Sequence, residues 1–121
     1  VYNTFPYMGD GIIPIEYGTL GLIDPFENPV SAQFHHRLLA SITLIIIILY
    51  SINYIMKNPI NLRIIILLFA IICQFIIGVF TLLYSVPITL GAMHQFGGVL
   101  LFISAIWLLH YPRNNSFQNK F

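Results

Sequence analysis

The sequence predicts an all-α membrane protein, with three transmembrane helices preceded by a loop outside the bilayer. Composition is the first reason. Of 121 residues, 58% are hydrophobic and only 7% charged, against about 25% charged in an ordinary soluble domain. A soluble chain of this size has too much surface for its volume to hide that much apolar side chain. The second reason is segmentation. The apolar residues fall into three long runs, each close to the roughly 20 residues that cross a hydrocarbon core about 30 Å thick. The third is the polar spacing between runs, which is too short for anything but a tight reversal.

Residues 1–30 read as an extramembrane Gly/Pro-rich loop. Pro6, Gly9, Gly11, Pro14, Gly18, Gly21, Pro25 and Pro29 interrupt any helical pattern. All four acids, Asp10, Glu16, Asp24 and Glu27, lie here. Tyr2, Phe5, Tyr7, Ile12, Ile13 and Phe26 are too apolar for a freely solvated linker. They suit a loop resting on headgroups or over the end of a bundle.

Residues 31–112 read as the membrane part, with helices at about 31–56, 64–84 and 88–109. The β-branched run Ile45–Ile48 would favour a strand in water. In lipid an open strand leaves backbone groups unpaired, so helix wins. The connectors KNPINLR (57–63) and SVP (85–87) are short and force antiparallel neighbours. Residues 113–121 read as a polar tail. Lys57 and Arg63 flank the first connector, and Arg113 and Lys120 lie in the tail. The positive-inside rule places both regions on the cytoplasmic or matrix side. The N-terminal loop and the SVP turn then face outward, and Arg37 is the basic residue left on that side.

Several function classes drop out. A net charge of +1 leaves no basic stripe for nucleic acid. Cys73 lies in an apolar run with no partner in the chain and says nothing about disulfides or redox compartment. No CxxC, P-loop or nucleophile-elbow pattern is present. The chain opens on Val1 with no signal-like segment, so its start is expected to be internal.

Ionisable groups within a span are rare and expensive, which makes each one a functional hypothesis. His94 lies about 9 Å past Ile88 at 1.5 Å per residue, and His36 lies a similar distance past Ser31. Two imidazoles thus reach comparable depth on one side of the membrane. That is what a bis-histidine haem requires. On the third helix Gly91, His94, Gln95 and Gly98 share a face at helical spacing, and glycines beside a ligand leave room for a flat macrocycle. On the first, Ala40 and Thr43 follow His36 at successive turns. Arg37 is placed to pair with a haem propionate. The competing reading is a pair of satisfied interfacial histidines, and spacing alone does not choose between His35 and His36. His110, Trp107 and Tyr111 read as interfacial side chains. Gln74 and Gly78 read as helix-packing residues.

The segments YNTFPYMGDGIIP (2–14), FENPVSAQFHHRLLA (26–40) and QFIIGVFTLLYSVPITLGAMHQFGGVLLF (74–102) together resemble the C-terminal half of the haem A synthase family. The resemblance implies three helices of an incomplete four-helix haem-binding bundle. It implies that His36 and His94 are the axial ligands of haem b, with Arg37, Gly91 and Gly98 around the cofactor. It also gives the ligand position to His36 and a variable one to His35. The implied activity is oxidation of the haem O methyl group to formyl, giving haem A for cytochrome oxidase, in a bacterial plasma membrane or the mitochondrial inner membrane. In the family's catalytic half a glutamate precedes the HR histidine by three positions. Gln33 stands there in this chain, which suits the cofactor half, and no catalytic residue is expected in it. Glu27, in the FEN motif, is as consistent with anchoring the loop as with binding haem.

The implied partners are the N-terminal half of the same enzyme, haem O, an electron donor of unknown identity and the lipid bilayer. A homo-oligomer is compatible with the chain. Alone, the segment is expected to be inactive. The alternatives are a b-type cytochrome electron-transfer subunit of the membrane, and a non-functional gene fragment.

Overall fold

The structure is a computed structural model, and it describes residues 1–110. The expectations for Tyr111, for Arg113 and Lys120, and for the tail at 113–121 lie outside the described residues. Four α-helices and no strand occur among the described residues: α1 (Asp24–Glu27), α2 (Pro29–Lys57), α3 (Leu62–Leu83) and α4 (Ile88–Leu109). The last three are long and apolar enough to cross a membrane.

The start of α2 is written in its sequence. Pro29 sits in the first turn, where no N–H is required. The Asn28 side chain accepts hydrogen bonds from the N–H groups of Val30 and Ser31, the usual work of an N-cap. The helix therefore begins at Pro29 rather than Ser31. It ends at Lys57, because Asn58 precedes Pro59 and takes the extended backbone that proline imposes on its neighbour. Asn61 caps α3 in the same way, accepting from Arg63 and Ile64. At 29 residues, α2 is about 44 Å long. It is longer than the roughly 30 Å thickness of a hydrocarbon core.

The turn between α3 and α4 reverses the chain through two residues with left-handed backbone, Ser85 (φ 59°) and Val86 (φ 57°). That conformation is unusual for a β-branched residue. The Val86 N–H donates to the carbonyl of Thr81 at 2.8 Å. The Thr81 hydroxyl in turn faces the carbonyls of Ile77, at 2.7 Å, and Leu90, at 3.2 Å. One buried side chain thus ties the end of α3 to the start of α4.

α3 packs along both α2 and α4, whereas the α2 and α4 backbones stay apart. Large aliphatic side chains close the gap at the end of the bundle carrying the first connector. There Ile64, Leu67 and Leu108 are buried against Ile47, Tyr54, Ile55, Leu101 and Ala105. At the other end a groove remains.

The loop is more ordered than its glycines and prolines lead one to expect. It includes a 3-10 turn, Gly21–Ile23, and the helical turn α1. The proline expected to break a helix here instead starts one, because Pro25 occupies its first turn. The Asp24 side chain, 2% exposed, organises the surrounding chain. It accepts from the N–H groups of Gly18 and Leu20 and from the Asn28 amide.

Candidate functional site

His36 on α2 and His94 on α4 meet across the groove with ring centroids 6.0 Å apart and planes inclined at 77°. The groove holds about 330 Å³, and its wall includes Arg37, Ala40 and Thr43 of α2, Gln74 and Gly78 of α3, and Phe5 from the loop. This is at the small end of the roughly 300–1,000 Å³ range of ligand pockets. Phe5 covers one edge and meets Phe75 edge-on at 6.1 Å. His35 lies elsewhere. Its ring contacts Tyr17 and Phe34, and its Nε2 is 3.2 Å from the Tyr17 hydroxyl.

Room for the His94 ring is made on the neighbouring helix. A Cβ at Gly78 would stand 2.7 Å from His94 Cε1, closer than packed atoms approach. Gly91 and Gly98 are on α4 but do not line the groove. A Cβ at Gly91 would meet Val86 at 3.9 Å, and one at Gly98 would meet Gln74 Nε2 at 3.4 Å. Gln95 is exposed. The glycine that matters most to the ring was thus read from sequence as packing alone. Gln74 and Gly78 are one turn apart on α3 and so share a face, a spacing that could have drawn attention to both.

Arg37 lies in the wall, half-buried, and its guanidinium is committed to the loop. Nη2 donates to the carbonyl of Tyr2 at 3.0 Å and Nη1 to that of Tyr7 at 3.3 Å. Its Nε is buried without a hydrogen-bond partner. Gln33 bonds the Tyr2 backbone in both directions, at 2.9 and 2.7 Å. Two side chains of α2 therefore fasten the first residues of the loop over the groove.

The loop's own electrostatics serve this arrangement. Burial opposes ionisation of Asp24. The Ser31 hydroxyl, whose geometry falls short of a formed bond, the Leu20 N–H, the Asn28 amide and the Gly18 N–H outweigh it. They hold the carboxyl well below the usual carboxylate range. The Tyr2 phenol is pushed up, first by its hydrogen bond to Glu16, then by burial and by the charges of Glu16 and Asp10.

Among the described residues, no cluster of three or more His, Cys, Asp or Glu side chains exists that could hold a bare metal ion. Two imidazoles alone do not satisfy an ion such as zinc, which takes three or four protein ligands. They do match a metal whose equatorial positions arrive already filled, as in haem.

Residues 1–106 match the model of the COX15-CtaA family, described as cytochrome oxidase assembly protein. The chain belongs to this family. Among similar members, heme A synthase of Rickettsia bellii is 40% identical over 120 residues, covering 95% of this chain and 35% of that protein. Heme A synthase of a Wolbachia from Culex pipiens is 36% identical over 116 residues, 94% of this chain and 34% of the relative. The mouse protein, heme A synthase COX15, is 37% identical over 118 residues, 93% and 29% respectively. The chain thus spans about a third of the length of the curated relatives it matches. No solved structure matches it. As a member of the cytochrome oxidase assembly family with three helices long and apolar enough to cross a membrane, it is an integral membrane protein.

Proposed function

We propose that this chain is the haem b-holding, electron-transferring part of a haem A synthase, with oxidation of the haem O methyl to formyl carried out elsewhere in the enzyme. The observation that carries the proposal is the 6.0 Å separation of the His36 and His94 rings across the groove. A metal-bound imidazole nitrogen lies about 2 Å from a first-row metal. With ring size added, two imidazoles on opposite faces of one metal have centroids roughly 6 Å apart. The clearance at Gly78 and the two-imidazole donor set support the same group. When bound, haem b supplies a one-electron carrier whose potential the axial ligands set.

The chain's own residues then have separable tasks. His36 and His94 hold the iron from α2 and α4. Arg37, with its buried unpartnered Nε at the loop-side rim, neutralises propionate charge where the groove meets the headgroups. Phe5 and Phe75 exclude water at one edge. Gly98 faces Gln74 of α3, and Gly91 lies against Val86 of the turn that precedes α4. Residues 1–30 form the outer loop, and Lys57 and Arg63 mark the cytoplasmic or matrix side of a bacterial plasma membrane or the mitochondrial inner membrane. The N-terminal half of the enzyme is the partner, and haem O its substrate.

The test is spectroscopic. The chain expressed in membranes is expected to carry a low-spin b-type haem that disappears in both His36→Ala and His94→Ala. Unchanged haem content in either variant overturns the assignment.

A further inference from the structure

Gln74 sits in the middle of α3, where a polar side chain is costly unless it is bonded. Its Nε2 lies 2.7 Å from the backbone carbonyl of His94 and 3.2 Å from the Nδ1 of the same residue. Its Oε1 is buried and has no hydrogen-bond partner. The amide fits there because residue 97 is a glycine; a Cβ at Gly97 would overlap Oε1. Gly78, a turn further along α3, clears the His94 ring itself. An amide serving only to join helices would have both ends bonded. This one grips a single residue of α4 and keeps an acceptor in reserve.

We infer that Gln74 is a positioning residue for His94. Its amide holds the Nδ1 side of the imidazole, leaves Nε2 as the nitrogen for iron, and supplies Oε1 as acceptor once Nε2 is ligated. The inference rests on the reading of His36 and His94 as haem ligands. An imidazole bound through one nitrogen carries its proton on the other, and that N–H needs an acceptor. Among the groups touching Nδ1, Gln74 has one to give. Half a turn about the terminal amide torsion, which is soft and roughly two-fold, exchanges Nε2 for Oε1 beside Nδ1. The exchange gives up the bond to the His94 carbonyl, which keeps its partner within α4, requires the amide to draw back from that oxygen because both atoms are acceptors, and gains the Nδ1–H···Oε1 bond. It pairs the oxygen and moves the unbonded end of the amide to Nε2, beside Gly97.

The experiment is haemin titration of the purified full chain, with the midpoint potential and low-spin electron paramagnetic resonance signal of the bound haem. Gln74→Leu is expected to weaken haemin binding by roughly 10–100-fold and to raise the potential, because the imidazole loses the bond that makes it more basic. Gln74→Glu keeps an acceptor at Nδ1. It is expected to restore binding and to lower the potential below that of the unaltered chain. Unchanged binding and potential in Gln74→Leu overturn the inference while leaving the haem reading intact, provided both histidine variants lose haem. Absence of low-spin haem from the unaltered chain overturns both. Should Gln74→Leu fail to fold, the Glu variant decides: an unchanged potential there also overturns the positioning role.

Discussion

The two ends of this helical array use the same three helices for opposite purposes. At the connector end Ile64 is fully buried, with Leu67 and Leu108 beside it. Polar groups there finish the closure. Asn61 bonds the Tyr54 hydroxyl at 2.8 Å, and Arg63 donates to the Trp107 carbonyl at 3.0 Å while lying 4.8 Å above that indole. At the loop end imidazole, amide and guanidinium groups line an opening. Shape, not hydrophobicity, separates the ends, because lipid is as apolar as leucine. Large aliphatic side chains interlock at one end. At the other, glycine on α3 keeps the helices from filling the space.

That contrast can be broken from either side. The largest effect is expected from Gly78→Ala, which drives a methyl into the His94 ring. Overpacking of this kind costs about 1–3 kcal/mol, and haemin binding is expected to fall at least tenfold, read by titration. Leu67→Ala, at the opposite end, is expected to cost about 2 kcal/mol through the cavity it leaves. The measurement is thermal unfolding in detergent, and the haem spectrum is expected not to change. A spectral change there would mean that the ends are coupled. Asn28→Ala removes the cap of α2 and is expected to cost about 1 kcal/mol. Its signature is faster proteolysis confined to residues 1–30.

A pH titration sharpens the comparison further. Asp24 has a folded pKa held below its unfolded value of about 3.9. Its contribution is therefore complete above that value and is lost as pH falls below it. Acid is expected to loosen the loop, followed by proteolysis or hydrogen exchange, before it loosens the connector end. The smallest effect is expected from Trp107→Leu, which removes the ring beneath Arg63 but not the backbone carbonyl it bonds. A cation–π contact at such a site is worth about 0.5–1 kcal/mol.

The helices were legible because lipid leaves a long apolar run no other conformation, even across Ile45–Ile48. Sequence spacing also put His36 and His94 near the loop ends of α2 and α4, where their rings now lie together. The residues packed against those rings were harder to see. Gly78 and Gln74 act across a helix interface, and a single helix's periodicity says nothing about which neighbour its face meets. Gly91 and Gly98 share a face with His94, yet the space beside that ring is made by α3. The loop was harder still. Gln33 and Arg37 reach back some thirty residues to the backbone of Tyr2, a pairing that no local pattern announces.

The placement of the two histidines on the first and last of the long helices bears on biogenesis. His36 leaves the ribosome early and waits in the bilayer through the synthesis of α3. His94 arrives only when α4 is made, and the Thr81 tie then fastens the start of α4 to the end of α3. A product truncated before α4 keeps His35 and His36 but lacks His94 and the helix that carries it. If His36 and His94 hold haem b as proposed, retention of that haem would report that translation and insertion had run to the end of α4, so that the bound group would check the assembly of its own site.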